Sequence, residues 1–144
     1  MLSFTETTTI SGDLDAVWTT ATDVLSYPSW DPHVEATKFE GPFEEGRGGW
    51  TKPAGAPGGD FKLTSIVPGK SWTTESPMPL GKMLIVNSYE QVAPGKVSIT
   101  RDFEIHGPFA PVFKKFWMAK MREDVHRSFA ALESEAARRA SAAA

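Results

Sequence analysis

The sequence of 144 residues contains no cysteine, which excludes disulfide bonds and thiolate chemistry. A reducing compartment, the cytoplasm, is therefore the expected location. No apolar run approaches the roughly 20 residues that a membrane-spanning helix needs. The first residues alternate between polar and apolar side chains, and no basic segment leads into an apolar one, so no secretory signal is expected.

The sequence also contains few histidines and has a small net charge. His33, His106 and His126 are too scattered along the sequence to form a metal-ligand cluster, so we expect no metal and no other cofactor. The formal net charge of -3 gives no electrostatic footprint for nucleic acid or an anionic membrane. Neither nucleic-acid binding nor membrane insertion is therefore expected, and nothing demands more than a monomer or a weak dimer.

Aromatic side chains, in contrast, are abundant, with five tryptophans and nine phenylalanines. Aromatics at this density fill a large core or line a ligand pocket. The length suffices for one domain, residues 1–144, whose core needs neither disulfides nor metal.

The order of secondary-structure signals runs from a strand through short helices to many strands. Polar and apolar residues alternate over residues 2–10, which predicts a first strand. Ser11 or Asp13 caps the next helix, and Pro28 and Pro32 end helical structure there. Further strands are predicted at residues 34–39, 49–52, 61–67, 71–75, 83–92 and 97–106.

From Phe109 onward the apolar period changes from two residues to 3.6. This change predicts one amphipathic helix of about 25 residues that lies across the sheet. Its continuous apolar stripe consists of Val112, Phe113, Phe116, Trp117, Met121, Val125, Phe129, Leu132 and Ala136. Residues 138–144 lose the stripe and are expected to fray.

Three segments resemble the START-like (SRPBCC) superfamily, and within it the polyketide cyclase/dehydrase-like branch: residues 10–18, residues 23–32 and the turn at residues 41–46. The order of elements matches too, so the resemblance covers essentially the whole chain. It implies an α+β helix-grip fold, in which a curved antiparallel sheet of about seven strands surrounds a long C-terminal helix. Two short helices follow the first strand. Members of the superfamily bind lipids, sterols, hormones or polyketides in a central cavity, and some are enzymes.

Arg101 is the most informative single residue. It shares one face of its predicted strand with four apolar residues, Val97, Ile99, Phe103 and Ile105. An unpaired buried charge costs several kcal/mol, so this arginine needs a partner. One candidate is Glu6, the odd residue on the apolar face of the first strand, and the other is a carboxylate or hydroxyl of a ligand. The two possibilities are compatible.

Tyr27, Trp30, Asp31 and His33 crowd the junction between the short helices and the second strand, which is a rim of the cavity in this fold. Asp31 and His33 suit an acid/base pair acting on an enolisable ligand. The alternative is a structural corner, in which Trp30 packs inward and Asp31 caps a turn. Tyr89 is a third candidate for proton transfer.

The expected function is binding of a small hydrophobic, partly oxygenated molecule, lipid- or polyketide-like, between the sheet and the long helix. The residues expected to contact it are Arg101, Glu6 and Asn87 for orientation and Trp30, Ile99, Phe103, Phe113, Trp117 and Met121 for apolar contact. One alternative is a cyclase/dehydrase-like enzyme that uses the same cavity. Another is a protein-interaction module, like relatives that act as co-chaperones, with the cavity collapsed. A cavity of about 300 Å3 or more favours ligand binding or catalysis.

Overall fold

The computed structural model describes residues 1–143. Its strands are β1 (Leu2–Ser11), β2 (Val34–Phe39), β3 (Gly48–Pro53), β4 (Gly59–Val67), β5 (Ser71–Met78), β6 (Gly81–Ala93) and β7 (Lys96–His106). They form one antiparallel sheet of seven strands in the order β1-β7-β6-β5-β4-β3-β2. Each strand that the alternation predicts is present, with small extensions at its ends.

Two short helices follow the first strand. They are α1 (Leu14–Thr22) and α2 (Tyr27–Trp30), with a 3-10 turn (Val24–Ser26) between them. Asp13 is the cap of α1, because its carboxylate accepts hydrogen bonds from the backbone N–H groups of Asp15 and Ala16. These elements carry the chain from the edge strand β1 to the opposite edge strand β2.

The expected single C-terminal helix is divided into two, α3 (Ala110–Phe116) and α4 (Met118–Ala143). The division falls at Trp117, whose backbone angles (φ -125°, ψ -27°) are not helical. The apolar stripe is therefore not continuous, because Phe116 is 65% exposed, Trp117 is 43% exposed and Val112 is exposed as well. Members of the stripe on either side of the division are buried: Phe113, Val125, Phe129, Leu132 and Ala136.

Helix α4 is regular to Ala143. The expected fraying of residues 138–144 stays a prediction, and Ala144 lies outside the described residues.

The curled sheet and α4 form the two layers of the molecule. Helix α4 packs mainly against α1 and β1. We call the side of the sheet that faces α4 the concave face; its buried residues include Phe4, Ile10, Leu63, Val97, Ile99, Phe103 and Ile105. This arrangement confirms the helix-grip expectation. Across residues 1–143, no helix is both long and apolar enough to cross a membrane.

The turn between β5 and β6 touches the segment that leads into α3. A side chain at Gly81 would lie 1.8 Å from the carbonyl oxygen of His106, and one at Gly107 would lie 2.7 Å from the carbonyl oxygen of Leu80. Gly107 also has a φ of 110°, which disfavours any other residue. Leu80, at the tip of the turn, has a φ of 57° although it is not glycine.

Candidate functional site

A pair of polar side chains lies in the middle of the concave face. Asn87 of β6 and Arg101 of β7 stand opposite each other in the strand register. The Nε–H of Arg101 donates a hydrogen bond of 2.8 Å to the Oδ1 atom of Asn87. Asn87 is only 3% exposed and Arg101 is half-buried. The neighbouring residues on the same face of β7, Ile99 and Phe103, are buried, so this polar pair is surrounded by apolar side chains.

Among the described residues, Arg101 has no charged partner. Within residues 1–143, no carboxylate lies within ion-pair distance of its guanidinium, and its terminal Nη atoms donate to no protein acceptor. The guanidinium carbon lies 5.2 Å from the centre of the Phe129 ring of α4, which gives a cation–π contact. A neutral amide and an aromatic ring offset only part of the cost of withdrawing the charge from water. Arg101 therefore presents free hydrogen-bond donors and an uncompensated positive charge.

The expected ion pair between Arg101 and Glu6 does not form. The two residues are direct neighbours in the β1–β7 register, as expected. The carboxylate of Glu6, however, accepts a hydrogen bond from the Nε–H of Arg122 and lies 2.7 Å from the Nε2 atom of His126, both on α4. These bonds lower the pKa of Glu6, although burial alone would raise it. Glu6 therefore links β1 to α4 through hydrogen bonds to Arg122 and His126. Its contribution to ligand binding stays a prediction.

Two tyrosines lie near the polar pair, of which Tyr89 is buried and Tyr27 is half-buried. Tyr89 occupies the next position on the concave face of β6, and its hydroxyl accepts a hydrogen bond of 3.0 Å from the indole N–H of Trp72. The hydroxyl of Tyr27 donates to the carbonyl oxygen of Ala21 at 2.5 Å. Burial raises the pKa of both tyrosines, and the nearby charge of Arg101 opposes the rise in each case. Both phenols therefore keep their protons at neutral pH, and Tyr89 is a donor that bonds to no acceptor in the described chain.

Asp31 and His33 are close together, but their side chains do not bond to each other. The Oδ1 atom of Asp31 accepts hydrogen bonds from the backbone N–H of His33 at 2.9 Å and from the hydroxyl of Ser128 at 3.1 Å. This is the structural corner that the sequence offered as the alternative, and it also ties the corner to α4. The Nδ1 atom of His33 is 3.5 Å from a carboxylate oxygen of Asp124. Its Nε2 atom is buried and has no partner among the described residues.

The predicted apolar contacts fall into three separate places. Ile99 and Phe103 are buried beside Arg101, and Phe103 stacks on Phe4 with ring centres 4.5 Å apart. Trp30 is half-buried next to Tyr27, and its indole N–H donates to the hydroxyl of Ser26. Buried Phe113, exposed Trp117 and half-buried Met121 lie around the division between α3 and α4. Whether these groups share one interior space stays a prediction.

Sequence reasoning missed several side chains of this region. Phe129 was assigned to the core alone, yet its ring also covers the guanidinium of Arg101. Arg122 and His126 are four residues apart and so lie on one face of the helix, a spacing that indicates a shared acidic partner. No local signal identifies Trp72 or Ser128 as a hydrogen-bond donor to the site.

Two grooves lie on the outer, convex side of the sheet. One, of about 670 Å3, is bordered by residues of the β5–β6 turn and by Lys62, Glu75 and His106. The other, of about 430 Å3, is lined mainly by hydroxyl-bearing residues of β5, β6 and β7. On the concave side, partly exposed apolar side chains show that part of the face is open to solvent. Ile85 and Met83 of the interior strand β6 are only half-buried, although Phe103 and Ile105, their β7 partners, are buried.

Comparison with known proteins places the chain in a wider family. The family model described as polyketide cyclase / dehydrase and lipid transport matches residues 1–137. No curated protein matches the sequence.

Solved structures share the fold at low sequence identity. A START superfamily protein from Mycobacterium smegmatis is 15% identical with a TM-score of 0.73, and the match covers 94% of this chain and 97% of that one. The Zhui aromatase/cyclase from Streptomyces sp. R1128 is 16% identical with a TM-score of 0.74, over 96% and 95% of the chains. The di-domain ARO/CYC StfQ from the steffimycin biosynthetic pathway is 15% identical with a TM-score of 0.74, over 96% and 52%. From these findings together, the chain belongs to the polyketide cyclase / dehydrase and lipid transport family.

Proposed function

We propose that the protein binds a small hydrophobic molecule that carries at least one oxygen acceptor, held between the concave face of the sheet and α4. The observation that carries this proposal is Arg101, a half-buried cation that has a neutral hydrogen-bond partner and no carboxylate among the described residues. A ligand oxygen, above all a carboxylate or phenolate, supplies the missing charge and bonds to the free Nη donors.

The surroundings of Arg101 favour a ligand that is otherwise apolar. Ile99, Phe103 and Phe129 are buried around it, and Ile85 leaves apolar surface accessible on the same face. Burial of apolar ligand surface contributes about 25 cal/mol per Å2. The free proton of the Tyr89 hydroxyl adds a second donor one position along β6. Affinity thus comes from the apolar walls, and orientation comes from Arg101 and Tyr89.

The test compares an acidic probe with its neutral form. Binding of cis-parinaric acid and of its methyl ester is measured by fluorescence for the wild type and Arg101→Met. Loss of a charge-assisted hydrogen bond costs about 1.5–3 kcal/mol, so the variant binds the acid roughly ten- to 150-fold more weakly. The ester carries no charge and offers Arg101 only a weaker carbonyl acceptor, so it loses less affinity than the acid does.

Arg127→Met is the matched control, because Arg127 is an exposed arginine of α4 that pairs with Glu123. It leaves both probes unaffected. Native mass spectrometry of the purified wild type adds an independent measurement, namely the mass of any hydrophobic molecule that co-purifies. If neither probe binds the wild type and no such mass is found, the proposal fails and the protein-interaction module becomes the better explanation.

The second candidate function is catalysis of a cyclase or dehydrase type in the same place. The observation that favours it is His33, whose Nδ1 atom faces Asp124 while its buried Nε2 atom has no partner among the described residues. A histidine oriented by a carboxylate in this way is suited to act as a general base. If the protein only binds its ligand, the His33→Gln variant keeps its affinity for the probe and the ligand stays chemically unchanged. If the protein is an enzyme, the wild type forms a product of altered mass and the His33→Gln variant does not.

A further inference from the structure

One end of the molecule exposes large apolar side chains from two separate elements. Phe116 and Trp117, where α3 ends, are 65% and 43% exposed, and Val112 of the same helix is exposed too. Leu80, at the tip of the β5–β6 turn, is 88% exposed. The contact between Leu80 and Gly107 brings this turn beside the segment that leads into α3. We call Leu80, Val112, Phe116, Trp117 and the two lysines Lys114 and Lys115 the α3 patch.

The aromatic side chains of the patch form a continuous group. The ring centre of Trp117 lies 5.8 Å from that of Phe116 and 5.6 Å from that of Phe109. Other exposed apolar residues, such as Leu25, Val67 and Val92, belong to different elements, and single residues of this kind are common on protein surfaces. A contiguous exposed apolar group instead marks an interaction surface.

The charge of the patch is opposite in sign to that of the whole chain. Residues 107–122 contain four basic side chains and no acidic one, whereas the chain has a net charge of -3. Lys120 is paired with Asp124 and Arg122 with Glu6. Lys114 and Lys115 have no acidic partner in the described part of the chain, and the Nζ atom of Lys115 lies 5.4 Å from the ring centre of Phe116. Free cations are therefore interleaved with exposed aromatic rings.

The backbone at Leu80 adds a separate observation. A leucine at φ 57° is strained, because its side chain crowds the backbone in the left-handed region. Asparagine or glycine would relieve the strain. Backbone strain that persists at an exposed position indicates that the side chain has a function there. At Leu80 that side chain is a large apolar group at the tip of a turn.

We propose that the α3 patch docks the protein on the surface of an anionic lipid bilayer. Tryptophan and phenylalanine favour the boundary between headgroups and acyl chains, and leucine inserts at the same depth. Lys114 and Lys115 are placed to contact lipid phosphates, since lysines near an anionic leaflet are attracted to it. The exposed side chains of the patch stand on a turn and on a short helix. We expect such a surface to fit a deformable lipid surface better than a rigid groove on another protein. The docking goes beyond the proposed ligand binding, because it needs no ligand between the sheet and α4.

The test is co-sedimentation of the wild-type protein with vesicles. One preparation is phosphatidylcholine alone, and the other contains about 30% phosphatidylserine, which supplies the anionic surface. The protein binds the anionic vesicles, and about 0.5 M salt releases most of it, because screening shortens the reach of the lysine charges. It binds the neutral vesicles roughly tenfold more weakly or not at all.

Patch variants separate the two contributions. Lys114→Gln combined with Lys115→Gln weakens binding to anionic vesicles roughly tenfold or more. Phe116→Ser and Leu80→Asn each weaken it as well, and Leu80→Asn keeps the fold, because asparagine tolerates the left-handed conformation. Lys70→Gln and Val92→Ser are the matched controls, since both lie at the hairpin end opposite the β5–β6 turn. Both controls bind like the wild type.

Four results would overturn the proposal. The first is wild-type protein that stays in solution with anionic vesicles at low salt. The second is patch variants that bind as well as the wild type, and the third is control variants that bind as poorly as the patch variants. The fourth is a concentration-dependent dimer, observed without lipid and abolished by Phe116→Ser, which would assign the patch to a second copy of the chain.

Discussion

Arg101 and Arg122 differ in what balances their charge, although both lie close to Glu6. Arg122 bonds directly to the carboxylate of Glu6, and His126 bonds to its other oxygen. Arg101 bonds to the neutral amide of Asn87. When a charge with a buried partner is removed, the partner is left buried without a counterion, which destabilises the fold. Removal of an uncompensated charge instead removes its desolvation penalty. The two arginines therefore have opposite expected effects on stability.

A double-mutant cycle measures this difference. We expect Glu6→Gln and Arg122→Met to show a coupling of about 1 kcal/mol in urea unfolding, because each removes the other's partner. Glu6→Gln and Arg101→Met are expected to be additive within about 0.5 kcal/mol, and Arg101→Met alone to be as stable as the wild type or more so. A larger coupling between Glu6 and Arg101 would mean that these two residues interact in solution.

The sequence indicates on which face of the sheet a strand residue lies, but it says much less about which side chains that residue contacts. The period of two correctly places Arg101 on the buried side of β7 with Ile99 and Phe103. It also places Glu6 on the apolar face of β1, and the β1–β7 register sets Glu6 opposite Arg101. The actual partners of Glu6 are 116 and 120 residues away on α4. Their position depends on how that helix is rotated against β1, and this rotation follows from packing of the whole molecule.

The C-terminal helices show the same limit for a whole element. The period of 3.6 residues correctly predicts helical structure after Phe109 and a buried stripe from Val125 to Ala136. It assumes, however, that each residue advances by the same angle. The backbone of Trp117 breaks this advance, so Phe116 points away from the core. A pattern summed over many residues does not detect a single non-helical residue, yet the exposed Phe116 and Trp117 lie at this one.

The C-terminal half of α4 is fixed by a cluster of charges around Glu135. Its buried carboxylate accepts hydrogen bonds from Arg138 at 2.7 Å and from Arg139 at 2.9 Å. Arg139 also bonds to Asp23, which follows α1, at 3.2 Å. The two arginine hydrogen bonds lower the pKa of Glu135 to about 2. Glu135 in its ionised form therefore holds Arg139, which in turn bonds to Asp23 at the end of α1.

The pH dependence of stability follows from this shift. A carboxyl group whose pKa is lower in the folded protein contributes stability above its ordinary pKa, and the contribution is lost as the pH falls toward the folded value. For Glu135 that interval runs from 4.5 down to about 2. We expect the Tm of Glu135→Gln to lie below that of the wild type at pH 7 and the two to converge as the pH approaches the lower limit. A difference in Tm that is constant across this interval would contradict the prediction.

At the scale of the whole molecule, α4 covers only part of the sheet. It packs on β1 and α1, while the concave face of β6 stays partly accessible at Ile85 and Met83. Met121 on α4 is half-buried as well. Apolar surface is thus uncovered on both layers, and on β6 it adjoins Arg101, a cation that lacks a counterion in the described chain. A filled core would bury these side chains as fully as it buries Phe103 and Ile105.

Filling this space with a larger side chain tests whether the two layers enclose a binding site. Ile85→Trp and Met121→Trp place an indole where both residues are half-buried, so we expect each variant to keep a Tm within a few degrees of the wild type. Both variants are expected to lose cis-parinaric acid and its methyl ester together, because they remove volume and not charge. Ile99→Trp is the contrasting variant, since Ile99 is fully buried and overpacking there costs about 1–3 kcal/mol. If Ile85→Trp and Met121→Trp destabilise the fold as much as Ile99→Trp does, the space between the layers is already filled by protein. If they fold normally and still bind both probes, the ligand lies elsewhere.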